Sequence, residues 1–117
     1  MTRVDFKGIG ELVVTFKANL SNEAEGKFVK MKADSEIELC ADGDRFLGKI
    51  LKYEERGTAS VQIGGYMEAL YSGTAPVVGF TKLSADATGG VKADETTGQE
   101  VRVVKIDTTN KIVGFFI

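Results

Sequence analysis

The fold of this chain is decided by residues 45–63, which read RFLGKILKYEERGTASVQI. Two arms rich in apolar residues, 45–53 and 58–63, flank the charged tip Glu54-Glu55-Arg56-Gly57. In the second arm the apolar residues alternate with polar ones: Ala59, Val61 and Ile63. This alternation is typical of a half-buried antiparallel strand. The stretch therefore predicts a β-hairpin that ends in a glycine turn.

Short segments rich in Val, Ile, Phe and Tyr continue on both sides of this hairpin. The further predicted strands are residues 11–16, 27–31, 36–40, 66–71, 75–80, 82–85, 91–93, 101–106 and 111–117. Residues 66–71 contain good helix formers, but six residues between glycines are far fewer than the roughly 12 that an isolated helix needs. We therefore predict extended structure there as well.

The connections between these segments carry the residues that favour turns. They include Asp42-Gly43-Asp44, Thr88-Gly89-Gly90 and Asp107-Thr108-Thr109-Asn110, the last of which sets up a closing hairpin. Fourteen glycines and regular turn spacing predict an all-β fold, a small β-barrel or β-sandwich of short antiparallel strands. At 117 residues we expect one domain with one core, residues 1–117, without an internal repeat of fixed period and with residues 1–10 as a candidate flexible, extended arm.

The charge balance argues against several classes of partner. Fifteen basic and seventeen acidic side chains give a formal charge of −2, without the basic face that binds nucleic acid. No apolar run reaches the roughly 20 residues of a membrane-spanning helix, and residues 1–7 do not resemble a signal peptide. We expect no nucleic-acid or membrane partner, and synthesis in the cytoplasm of the producing cell.

The residue types argue against an enzyme. With no histidine the chain lacks the commonest general base, and Cys40 has no second cysteine or histidine with which to hold zinc. Cys40 follows Glu36 and Glu38 and is predicted to be a small apolar residue under a turn at a strand end. Acidic residues in turns or beside Lys and Arg are expected to be solvated surface charge. We predict no catalytic, cofactor-binding or metal-binding residues.

Two motifs that suggest ligand sites fail on their context. A calcium loop that begins at Asp42 would need oxygen ligands where Phe46 and Tyr53 stand. Gly64-Gly65 and Gly89-Gly90 are not followed by the helical pattern that a phosphate loop requires. Both glycine pairs are therefore interpreted as turns, bulges or bends of the barrel.

The C-terminus ends on large apolar residues, Phe115, Phe116 and Ile117. Successive side chains of a strand point to opposite faces, so Phe116 faces outward if Phe115 faces inward. Two interpretations stay open: an apolar edge that associates with another copy or a partner, or burial of both faces within one small sandwich.

From Asp42 onward the chain resembles small capsid decoration, or head-stabilising, proteins of tailed bacteriophages and prophages. The resemblance rests on residues 42–48, 61–66, 71–73, 78–80, 89–92, 101–107 and 111–114. It covers about two thirds of the chain, and the N-terminal third departs from the family's pattern.

The resemblance implies a structural virion protein, made in a bacterial host and located on the capsid surface. It implies binding to the outside of an expanded head, with the major capsid protein as partner and a homo-oligomer, a trimer being favoured. The arm of residues 1–10 would add a strand to the capsid protein.

Two other functions remain as alternatives. One is a barrel that binds a small molecule or carbohydrate on the aromatic residues Tyr53, Tyr66, Tyr71 and Phe80. The other is a phage tail or adaptor subunit. An apolar-lined pocket would favour the first alternative, and a filled barrel interior would count against it.

Overall fold

The computed structural model describes residues 9–20, 22–54 and 56–117, and its regular structure is almost entirely strand. The ten strands are β1 Leu12–Ala18, β2 Phe28–Ala33, β3 Glu36–Leu39, β4 Gly48–Glu54, β5 Thr58–Gly64, β6 Tyr66–Ser72, β7 Gly79–Ala85, β8 Val91–Ala93, β9 Gln99–Asp107 and β10 Ile112–Phe116. One short 3-10 turn, Asn22–Ala24, lies between β1 and β2. The all-β prediction is confirmed.

Most predicted strand positions are confirmed, with two differences. β4 begins at Gly48 because the preceding residues form a loop after the turn at Gly43, which has a φ of 87°. The predicted strand 75–80 is wrong in its first part: β7 begins at Gly79 and runs on through the predicted segment 82–85. Pro76 cannot donate a ladder hydrogen bond, which is consistent with its place in the connection.

The strands form two closed five-stranded barrels that follow each other along the chain. In the first barrel the order is β1-β3-β2-β4-β5, and β5 pairs with β1 to close it. In the second barrel the order is β10-β6-β8-β7-β9, and β9 pairs with β10. Gly65, with a φ of 83°, is the one residue between β5 and β6. Of the two predicted architectures, β-barrel and β-sandwich, the structure has the barrel. The chain forms it twice.

The sequence predicted antiparallel strands, but two of the strand pairs are parallel. β1 pairs in parallel with β3, and β6 pairs in parallel with β8. Both parallel pairs arise because the hairpin β2–β3, like β7–β8, returns its second strand beside the first strand of its barrel. The expectation of purely antiparallel pairing is wrong for these two contacts.

The two barrels repeat one topology, down to a β-bulge at the same place. In the β4–β5 pair Leu51 is the extra residue, and in the β9–β10 pair it is Val104. The surrounding sequences correspond: residues 49–54 read KILKYE, and residues 102–107 read RVVKID. The chain thus contains an internal structural repeat, which the sequence analysis missed because turns of unequal length break its period.

The buried side chains form two clusters instead of the expected single core. The first barrel encloses small aliphatic residues: Ala18, Ala24, Val29, Ile37, Ile50, Ala59 and Val61. The second barrel's cluster is larger and includes Met67, Tyr71, Leu83 and Phe115. Phe28 and Phe46 belong to this second cluster although they lie in the first half of the chain. The side chains of one half thus complete the core of the other. Whether the chain behaves as one folding domain stays a prediction.

Hydrogen bonds from the loop 41–47 hold the two barrels together. The Gly43 N–H donates to the Ala85 carbonyl and the Ala85 N–H donates to the Asp44 carbonyl, each at 2.8 Å. The Phe46 N–H donates to the Gln99 side-chain oxygen at 2.8 Å. These bonds fix the loop and with it the aromatic ring of Phe46 over the second barrel.

Within the described ranges no helix is long and apolar enough to cross a bilayer. The predicted arm falls largely outside these ranges, since residues 1–8 are not among them, and so does Glu55 at the hairpin tip.

Candidate interaction surfaces

Turn aspartates of the second barrel are fully engaged in local hydrogen bonds. One Asp86 oxygen accepts from the Thr88 N–H, the Thr88 hydroxyl and the Gly90 N–H, and the other accepts from the Ser72 hydroxyl. Burial alone would raise the pKa of Asp86, but these hydrogen bonds outweigh it and hold the pKa below its usual value. This carboxylate therefore organises a turn.

Asp94 has the same role in the turn between β8 and β9. It accepts hydrogen bonds from the Thr97 N–H at 2.9 Å, the Thr97 hydroxyl at 2.7 Å and the Ser84 hydroxyl at 2.9 Å. These bonds lower the pKa of Asp94 far below its ordinary value. A general acid needs a raised pKa, so neither this carboxylate nor Asp86 has the property that acid catalysis would require.

The Asp42-Gly43-Asp44 turn is present as predicted. The Asp44 side chain accepts from the Lys30 ammonium at 2.6 Å and from the Ala41 N–H at 2.8 Å. The hydrogen bond from Lys30 is the main reason that the pKa of Asp44 is lowered. Among the residues that the structure describes, no group of three or more Cys, Asp or Glu side chains could hold a metal ion.

Cys40 directly follows β3 and is half-buried against the second barrel's cluster, as the sequence predicted for a small apolar residue at a strand end. Its thiol lies 3.7 Å from the Arg45 carbonyl oxygen, which can accept its hydrogen. Burial, with a smaller contribution from Asp44, raises the pKa of Cys40 to about 12. A thiol in this state is a poor nucleophile at neutral pH.

Each of the two glycine pairs, Gly64-Gly65 and Gly89-Gly90, contains a residue that packs closely against the backbone of another segment. This agrees with their interpretation as bends. A side chain at Gly65 would overlap the backbone of Gly10, and the Tyr66 N–H donates to the Ile9 carbonyl beside it at 3.1 Å. A side chain at Gly90 would meet the Leu70 carbonyl. Neither pair precedes a helix.

The four aromatic residues proposed as a stacking surface do not form one. Tyr66 and Tyr71 are buried, each about 5% exposed, and Tyr53 is half-buried against the first barrel's cluster. Phe80, by contrast, is 76% exposed. A stacking platform needs several ring faces open to solvent on one side, and this arrangement does not supply them.

At the C-terminus Phe115 faces inward and is fully buried, so the alternation that the sequence predicts directs Phe116 outward. Phe116 is half-buried, because the Tyr66 ring lies 5.4 Å from its ring and the Arg102 guanidinium lies 5.9 Å from its centroid. Of the two interpretations, coverage within the chain is the one that the structure supports. The C-terminal strand is therefore not the strongest candidate for an apolar contact surface.

Two adjoining depressions lie where the barrels meet, of about 230 and 210 Å³. Both are lined by Gly26, Ala69 and Leu70. Lys49 lines the smaller one and donates to the Glu68 carbonyl at 2.7 Å, and burial lowers its pKa. Each volume is below the roughly 300 Å³ at which ordinary small-molecule sites begin. The barrel interiors are occupied by the two core clusters.

Among the described residues, two groups of exposed large apolar residues lie close together in sequence, and Met31, Leu39, Leu51 and Leu70 are exposed elsewhere. The N-terminal patch consists of Ile9, Leu12 and Val13, which are 41–54% exposed. The Phe80 patch consists of Val77, Val78 and Phe80, which are 62–76% exposed. The second patch was not expected from the sequence, because these residues were predicted to form one strand. The Pro76 and Gly79 that bracket the two valines were the available signal of a connection.

No protein-family model matches the chain. A search of curated proteins likewise found no match.

Proposed function

We propose that the protein is a structural virion protein that binds the outside of an expanded phage capsid and stabilises it. The observation that carries the proposal is the pair of exposed apolar patches on a double barrel whose two cores are filled. A protein that covers a lattice needs one surface for the capsid and another for its neighbours. Exposed apolar patches rimmed by polar residues are common at such contacts.

The N-terminal patch is the proposed contact with the major capsid protein. Ile9 lies within the predicted arm of residues 1–10, and Leu12 and Val13 follow it, so an arm that adds a strand to the capsid protein would bring these side chains onto the same partner. Main-chain hydrogen bonds would supply affinity and the three apolar residues would supply buried area. This contact needs no charged site, which is consistent with the mild charge balance.

Stabilisation would follow from mass action. A protein that binds the expanded lattice and not the unexpanded one shifts the equilibrium toward expansion. Many weak copies on one shell would then act together through avidity.

The test is co-sedimentation of the purified protein with expanded and unexpanded heads from one phage source. We expect the protein to sediment with expanded heads alone. Binding to neither form would overturn the proposal and leave the tail or adaptor function in first place. Equal binding to both forms would contradict the stabilising mechanism.

Two variants make this test specific. Leu12→Ser removes an exposed leucine from the N-terminal patch, and Leu51→Ser removes one from the bulge of β4 on the same barrel. We expect Leu12→Ser to weaken head binding at least about tenfold and Leu51→Ser to leave it unchanged. Deletion of residues 2–8, which keeps the Ile9 carbonyl that accepts from Tyr66, should also weaken binding. Unchanged binding after this deletion would exclude the arm.

A further inference from the structure

The smaller of the two depressions between the barrels contains a half-buried lysine, Lys49. This Lys49 depression has a volume of about 210 Å³ and is lined by Gly26, Lys49, Glu68, Ala69, Leu70 and Ile112. Lys49 belongs to β4 of the first barrel, whereas the last four residues belong to β6 and β10 of the second. Both barrels therefore build the walls, and the depression exists because of the way they meet.

The charge of Lys49 is not matched by a carboxylate. Its ammonium donates to the Glu68 carbonyl oxygen at 2.7 Å, and it forms no ion pair with a carboxylate of the described residues. Burial lowers the pKa of Lys49, and the negative charge of Glu68 opposes this shift without cancelling it. A lysine ammonium carries three hydrogens, so two of them remain for a ligand. An anion that accepts them would compensate for the lost hydration of the ammonium.

The acidic side chains around the two depressions are already engaged. The Glu68 carboxylate accepts from the Tyr66 hydroxyl at 2.8 Å and pairs with the Lys105 ammonium at 3.4 Å. Glu25, in the adjoining larger depression, accepts from a backbone N–H of β4 at 2.9 Å. Lys27 lines that larger depression as well and adds a second ammonium. Neither glutamate is therefore a dedicated counter-ion of Lys49.

The backbone of β6 supplies a second donor at the same place. The Tyr71 N–H donates to the Lys111 carbonyl and so points toward β10. Because the N–H groups of successive strand residues point to alternate sides, the Leu70 N–H points away from β10, along the edge that carries the Glu68 carbonyl. The ladder between β6 and β8 begins only at Tyr71, so no strand of the described part of the chain takes up the Leu70 N–H. This N–H therefore faces the depression beside Lys49.

We propose that the Lys49 depression is a binding site for a carboxylate that carries a short apolar tail. One carboxylate oxygen accepts from the Lys49 ammonium and the other from the Leu70 N–H. The tail lies against the side chains of Leu70 and Ile112, which are direct neighbours across β6 and β10. A tail of about four carbons belongs to a ligand far smaller than those that need 300 Å³ or more, so the depression holds it.

The donor set favours a carboxylate over a phosphate. A phosphate presents more charge and more acceptor oxygens, and its usual sites supply several cations or a row of backbone N–H groups. The Lys49 depression supplies one ammonium and one N–H beside an apolar wall. The carboxylate can belong to a free organic acid or to an acidic side chain of a protein partner, since both present the same group to the same two donors. The inference goes beyond the proposed capsid function and does not depend on it.

The first test is a titration of the protein with isovalerate, followed by NMR of the backbone amides. We expect saturable shifts that include the Leu70 amide, and none with isovaleramide, which has the same shape without the charge. Lys49→Met should weaken binding at least about tenfold. Lys52→Met, which removes an exposed lysine of the same strand, should leave it unchanged. An equal response to isovaleramide, or binding that is indifferent to Lys49→Met, would overturn the inference.

The second test uses the wild type alone, because Lys49→Met also removes the hydrogen bond to the Glu68 carbonyl and can loosen the junction. The pKa of Lys49 is measured by carbon NMR of its side chain with and without saturating isovalerate. A bound anion favours the charged ammonium, so we expect the pKa of Lys49 to rise on binding. An unchanged pKa would contradict contact between the carboxylate and Lys49.

The source of the carboxylate is identified by co-sedimentation with expanded heads. Head binding that is weakened by isovalerate and by Lys49→Met, but not by isovaleramide or Lys52→Met, would assign the carboxylate to an acidic side chain of the capsid protein. Head binding that is indifferent to all four would assign it to a free acid. Isovalerate binding without any head binding would remove the capsid function and leave the site standing. Head binding without isovalerate binding would do the opposite.

Discussion

The two barrels share one topology and one bulge, yet they close their cores in different ways. The first is filled by small aliphatic residues of its own. The second is built around Phe115 and is completed by Phe28 and Phe46, which the first half of the chain supplies. A repeated fold has thus diverged so that one copy depends on the other, and the dependence runs through two aromatic residues, Phe28 and Phe46.

The largest expected effect comes from Phe28→Ala compared with Phe80→Ala. The first change leaves a cavity in the second barrel's core and should lower the free energy of unfolding by about 3–5 kcal/mol. The second removes an exposed ring and should change it by less than about 0.5 kcal/mol. Urea unfolding of both variants at a concentration where the wild type is monomeric is the measurement. Equal losses would refute the contrast between the two positions.

The next largest effect is expected from the turns that follow β2 and β7. The turn after β7 is held by the buried Asp86, whereas the equivalent turn after β2 has Asp34, an exposed residue that accepts from the Ser35 hydroxyl. Asp86→Ala leaves the Thr88 and Gly90 N–H groups without their acceptor and should lower the free energy of unfolding by about 2–3 kcal/mol. Asp34→Ala serves as the control and should cost far less. A similar loss in both variants would contradict the structural role of Asp86.

The lowered pKa values of three aspartates predict how the free energy of unfolding depends on pH. The pKa values of Asp86, Asp94 and Asp107 are all lowered in the folded chain. Their contribution is therefore present above the unfolded value of about 3.9 and is lost as the pH falls through the lower folded values. We expect unfolding free energy to decline below about pH 4, and the decline to be shallower in Asp86→Asn. A slope unchanged by that substitution would exclude Asp86 as a source.

The smallest expected effect concerns the reactivity of the Cys40 thiol, which lies at the junction of the barrels. Because burial raises the pKa of its thiol to about 12, the wild type should react slowly with a thiol reagent at pH 8. Phe28→Ala weakens the contact between the barrels and should accelerate the reaction under native conditions. Fast labelling of the wild type would show that the junction opens readily.

Strand positions were predictable from the sequence because the signals that place them are local. Alternation in residues 58–63 predicted the β4–β5 hairpin correctly, and residues 42–44 form the predicted turn. The boundary at Gly79 was missed because Val77 and Val78 have strand propensity, and only their exposure reveals that they lie in a connection. The interpretation of Cys40 as a small apolar residue was predictable for the same local reason. The expectation that acidic residues in turns are solvated surface charge is wrong for Asp86, which is buried and accepts hydrogen bonds from its own turn.

What the sequence by itself determined is the class of the fold: short strands, tight turns and a chain without histidine. Tertiary structure alone decided that the strands close into two barrels, that two strand pairs are parallel, and which phenylalanine is covered. FVK at residues 28–30 and FTK at residues 80–82 carry nearly the same local information. Burial is set by contacts between residues distant in sequence, so the same motif is core in one barrel and surface in the other.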